Sequence, residues 1–86
     1  MAHVILERSF EPPISDERLG EISARLMPCL DRSGIRWIRS HFSRDRRRLI
    51  CHFEAPDAGA VRDALQQARL EHERVWSAEL LEPDPS

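Results

Sequence analysis

Lysine is absent from this chain, and all 13 of its basic residues are arginine. We read that first as compositional bias, because a net charge of −2 gives no general attraction to nucleic acid or to an anionic membrane. Cysteine is nearly as scarce. Cys29 and Cys51 are too few for a disulfide framework or a CxxC metal site. No apolar run is long enough for a bilayer span and no signal-peptide pattern opens the sequence, so a cytoplasmic protein with reduced thiols is expected. No stretch carries a recognisable catalytic motif, and there is neither an internal repeat nor a linker. What 86 residues do allow is one domain, close to the size at which a single core is only marginally sufficient. A chain of that size gains stability from a partner, and a second copy of itself is the simplest one.

The most informative stretch is GIRWIRSHFSRDRRRLICHFEAP, from Gly34 to Pro56. Its period-two alternation predicts a β-hairpin. A turn centred on Asp45-Arg46 sets Phe42 opposite Leu49, Ser40 opposite Cys51 and Ile38 opposite Phe53. These six residues then share one face, which is predicted to be the core face, and Cys51 on it reads as a small buried hydrophobe. A slip of one residue would mix Leu49 with His41 and is rejected. The other face collects Ile35, Trp37, Arg39, His41, Ile50, His52 and Glu54, with Arg39 opposite His52 and Trp37 opposite Glu54.

The flanking segments supply the remaining elements. HVILERS, from His3 to Ser9, predicts a strand whose buried side is ambiguous, because Val4 and Leu6 compete with Ile5. Phe10-Glu11-Pro12-Pro13 leaves the sheet. Ser15 is placed to cap a helix whose first turn holds Asp16 and Glu17. Leu19, Ile22, Leu26 and Leu30 are spaced three and four apart as its buried stripe, and Pro28 predicts a kink or an early end. Gly34 supplies the exit. Asp57 is placed to cap a second helix with the stripe Val61, Ala64, Leu65 and Ala68. A last strand is expected from Glu73 to Leu81, with residues 83–86 as a loose tail behind a domain of residues 1–82.

The order βαββαβ predicts an α+β, ferredoxin-like fold with a four-stranded antiparallel sheet. Its usual arrangement makes the first and third strands central and lays both helices on one face. The uncovered face would hold Trp37, Arg39, His41, His52 and Glu54. Two such faces packed together form a dimeric α/β barrel with a central space, and an exposed patch of this kind calls for an occupant. Arginine suits an anion, histidine a proton or a metal, and tryptophan a stacked ring. The same groups are also suited to satisfying one another across a two-fold axis. As metal ligands His41 and His52 alone are too few, and His3 and His72 read as surface residues.

Seven arginines between Arg32 and Arg48, against Asp45 alone, give a local charge of +6. Phosphate capture is one use for it. We favour a solvated turn whose charge keeps an edge strand from pairing with strangers. RLICHFEA lacks the glycine and paired exposed aromatics of the RNA-recognition module, which shares this element order, so nucleic acid is not an expected partner.

ERS near the start, SDERL opening the first helix, GIRWIRSHF and LICHFEAP as the paired strands, and Val75-Trp76 in the last strand together resemble the small nickel-binding, ferredoxin-like family formerly catalogued as a domain of unknown function. The resemblance runs over nearly the whole chain and implies a homodimeric ferredoxin-like domain, with metal binding in some members. It also implies departures. The family's first strand carries an acidic residue and a histidine where this chain has Leu6 and Arg8, and its second helix carries histidines where this chain has Leu65 and Leu70. The fold and the place of Cys51 therefore carry over, and no metal ligand does. The expected function is a homodimeric binding protein that takes a small ligand on its open sheet face, an anion in preference to a tightly held metal. The alternative is a small cofactor-independent enzyme of the dimeric α/β-barrel kind, with His41 or His52 as acid or base.

Overall fold

The computed structural model describes residues 1–71 and 74–84. Its elements run β1 (Ala2–Ser9), α1 (Asp16–Arg32), β2 (Arg36–Phe42), β3 (Arg48–Ala55), α2 (Ala58–Gln67) and β4 (Arg74–Ala78). The four strands form one antiparallel sheet in the order β2-β3-β1-β4. The first and third strands are central, and the fold is ferredoxin-like.

Local chemistry explains where the helices start and stop. Ser15 accepts from the Arg18 N–H at 3.1 Å and Asp57 from the Ala60 N–H at 2.8 Å, each satisfying a donor that the first turn leaves orphaned. At the end of α1 the Ile35 N–H returns to Leu30 O at 3.0 Å and the Gly34 N–H to Asp31 O at 3.3 Å. This six-to-one closure requires a left-handed residue, and Gly34 supplies it at φ 67°. The expected early end at Pro28 does not occur. The helix continues through it to Arg32, because the proline removes only one backbone bond while Cys29 and Leu30 just beyond it are buried in the core.

The strand pairing resolves the ambiguity of β1. Val4 lies opposite Phe53 and Leu6 opposite Cys51 and Val75, so these side chains face the helices together with Ile22, Leu30, Val61 and Leu65. Phe53, at 1% exposure, is the largest fully buried side chain. Its burial contributes about 1.5–3 kcal/mol. Ile5 turns the other way.

Two expectations about the hairpin need correction. The pairs Phe42–Leu49, Ser40–Cys51 and Arg39–His52 form as anticipated, but the register shifts between Trp37 and Arg39. Ile38 is the extra residue of a β-bulge, half-buried and outside the core cluster. A bulge reverses the phase of everything before it. Trp37 therefore pairs with Phe53 instead of Glu54, and Arg36 takes the place opposite Glu54. Ile35, expected on the open face, is buried where the chain leaves α1.

The last strand is also shorter than expected. It ends at Ala78, and Leu80 and Leu81 lie exposed beyond it. Leu70, expected on the second helix, follows the end of α2 and is buried. His72 and the strand start at Glu73 lie outside the described residues, as do Pro85 and Ser86 of the expected tail.

Candidate functional site

Among the described residues no helix lies over the second sheet face, and the residues of that face follow from the register. From β2 come Arg36, Arg39 and His41; from β3, Glu54, His52 and Ile50; from β1, His3, Ile5 and Glu7; from β4, Arg74 and Trp76. Arg39, His41, His52 and Glu54 stand on the side expected of them. Trp37 does not. The bulge carries it to the helix side, where its indole N–H donates to Ser40 Oγ at 2.9 Å.

The centre of the open face is a pair that strand pairing alone creates. His3 Nδ1 and His52 Nε2 are 2.9 Å apart and share one hydrogen, with ring centroids 5.0 Å apart. Partial burial holds the His52 imidazole below its ordinary pKa, and the neighbouring His3 and Arg39 push the same way, against an opposing pull from Glu54. His52 is thus kept neutral near pH 7, with one ring nitrogen engaged by His3. Glu54 is held by Arg36 at 3.1 Å, and Glu7 accepts from the Trp76 indole N–H at 2.8 Å. Arg39 and His41 make no hydrogen bond or ion pair among the described residues, so their donors face solvent.

Sequence reasoning missed His3, Glu7 and Trp76. The signal for the first two was the alternation in His3-Val4-Ile5-Leu6-Glu7. It became readable only once the buried phase of β1 was known.

The arginine-rich turn is tied down from several sides. Arg46 pairs with Asp16 and stacks over the Phe42 ring at 5.0 Å, and Arg47 approaches Glu11 at 3.7 Å. The Ser43 hydroxyl and the Arg47 N–H hold the Asp45 carboxyl below its usual range. These contacts are exposed and individually weak, and they fit a solvated turn at an edge strand. On the covered face, Cys51 is buried and accepts from the Ser40 hydroxyl at 2.9 Å. Burial raises the thiol's pKa, against smaller opposing effects from Ser40 and Arg8, so Cys51 is a neutral thiol.

Fold and face together define a small ferredoxin-like α+β protein whose uncovered sheet surface carries ionisable groups. The model of the SCO4226-like family, described as nickel responsive protein SCO4226-like, matches residues 5–77, and the chain belongs to this family. The crystal structure of SCO4226 from Streptomyces coelicolor A3(2) superposes with a TM-score of 0.81 at 15% sequence identity, covering 94% of this chain and 100% of that one. At that identity the likeness is one of fold. No curated protein matches the chain. No helix among the described residues is long and apolar enough to cross a membrane.

The donor set of this chain can be tested against nickel directly. Among the described residues no three His, Cys, Asp or Glu side chains converge where an ion could sit. His3 and His52 offer two nitrogens already engaged with each other, and Arg39 stands opposite His52. Leu6 and Leu65 are sealed in the core, Leu70 is buried, and Arg8 pairs with Leu49 on the helix side. A tight nickel site needs three or four N, O or S donors. The described residues of one chain do not meet that requirement.

Proposed function

We propose that the chain is a homodimeric binding protein of its nickel-responsive family, joined through the open sheet face and holding a small anion there. The observation that carries this reading is the His3–His52 pair on the same face as Arg39 and His41, whose donors are not consumed among the described residues. Arg39 supplies a permanent charge and a fork of N–H donors suited to a carboxylate or phosphate. His41 and the His3–His52 pair add ring nitrogens that can hydrogen-bond the ligand. Ile50 and Trp76, 37% and 45% exposed, supply apolar surface around them, of the sort that another copy covers. Packing two such faces would enclose the polar groups and strengthen each contact by excluding water.

The enzyme reading rests on His52, whose lowered pKa makes it a base in waiting. A base needs a bound substrate, so anion capture is tested first. Calorimetry with acetate, oxalate and inorganic phosphate is the test. At least one of them should bind, and Arg39→Gln or His52→Gln should weaken it tenfold or more. Absence of heat with all three, or binding indifferent to both substitutions, would overturn the proposal.

A further inference from the structure

The opposite side of the sheet holds a second space that the open-face reading does not use. Between α1 and the β2–β3 hairpin lies a cavity of about 350 Å³, within the size range of small-molecule sites. It opens where α1, which approaches the sheet at β2, stands away from the central strands. No Cα of α1 comes within 8 Å of one in β1 or β3, whereas α2 approaches β1, β3 and β4 that closely. Leu19 and Leu26 of α1, and Phe42 and Leu49 of the hairpin, reach into the gap without closing it, and all four are only half-buried. Protein interiors rarely leave a void much larger than a water molecule. A space of this size with one open side is built like a ligand site.

Its wall chemistry narrows the ligand. Most of the surface is aliphatic, with Phe42 and Phe53 adding rings. The polar groups on the hairpin wall form one chain, in which Trp37 Nε1 donates to Ser40 and Ser40 to Cys51. Among the described residues that line the cavity, Arg8 is the single charged side chain, and its guanidinium lies over the Phe10 ring at 4.9 Å. At about 30 Å³ per water-sized group, the volume accommodates on the order of a dozen heavy atoms. An apolar chain of that length fits the walls, and a single negative end complements the one cation. We propose that this cavity binds a medium-chain carboxylate, with its alkyl chain between α1 and the hairpin and its carboxylate directed towards Arg8.

Trp37 lines the cavity and Trp76 lies on the opposite sheet face, so Trp76→Phe leaves Trp37 as the sole indole reporter. In that background the probes are decanoate, decan-1-ol and decyltrimethylammonium, each kept below its aggregation threshold. Decanoate should shift the Trp37 emission saturably, and the decyl cation should bind at least tenfold more weakly. Arg8→Gln should weaken decanoate about tenfold and leave decanol unchanged. Ser23→Phe, which adds a ring from an exposed position on the cavity's rim, should abolish the signal while keeping the helical circular dichroism. Met27→Phe at the same rim serves if that variant does not fold. No saturable shift up to millimolar decanoate, or an undiminished one in the filled variant, would overturn the cavity as the site. Equal affinity for the decyl cation or for decanol would overturn the carboxylate.

Discussion

The two faces of this sheet are made by the same alternating residues and do opposite things. On the helix side Val4, Leu6, Phe53 and Val75 are buried under α1 and α2. On the other side their sequence neighbours Ile5, His52, Glu54 and Trp76 remain partly or largely open to water. A side chain's role here is therefore set by the parity of its position, and one inserted residue is enough to reverse it. Ile38 shows this directly. Its bulge moves Trp37 from the ionisable face to the cavity wall without altering any pair between Arg39 and Phe42.

The largest expected effect separates the fully buried floor of the cavity from its half-buried edge. Phe53→Ala should cost about 3–5 kcal/mol in urea denaturation, the range for deleting a fully buried ring. Leu49→Ala, on the same face but half-buried at the cavity, should cost about 1–2 kcal/mol. Equal losses would mean that α1 closes on the hairpin and leaves no cavity between them. On the open face, calorimetry with nickel on the tag-free protein should give a dissociation constant weaker than about 1 μM, roughly −8 kcal/mol. Tighter binding that disappears in His3→Ala or His52→Ala would show that the face assembles a metal site after all.

The smallest effect is on pH dependence. The folded pKa of His52 lies below the ordinary 6.5, so on acidification the unfolded chain takes up its proton first. Stability is then full above about pH 6.5 and falls as the pH drops from there towards the lowered folded value. His52→Gln should flatten that part of the stability profile, measured by thermal melts from pH 7.5 to 5. An unchanged slope would remove the desolvation account of His52.

Much of the fold was legible because it rests on local rules. Ser15, Asp57 and Gly34 mark helix ends through their own backbone chemistry, and the hairpin register from Arg39 to Phe42 follows from matching apolar residues across a turn. The misreadings arise where the deciding contact is distant in sequence or absent altogether. HVILER has apolar residues on both parities, so only pairing with β3 settles that Val4 and Leu6 are buried. The same pairing brings His3 against His52, 49 positions away, and no spacing within the sequence announces it. Leu80 and Leu81 look like strand residues and lie past the last paired position, at Ala78. The cavity is a deficit of packing between α1 and the hairpin, and a deficit leaves no motif.

Sedimentation equilibrium on the intact chain and two arginine variants tests the division of labour between the faces most directly. The account predicts a dimer at micromolar concentration that Ile50→Arg converts to a 10.0-kDa monomer, because a charge on the open face must be desolvated for two copies to meet. Trp37→Arg, on the helix side, should leave the dimer intact. A wild-type chain that sediments as a monomer, or a dimer lost with Trp37→Arg and kept with Ile50→Arg, would contradict it.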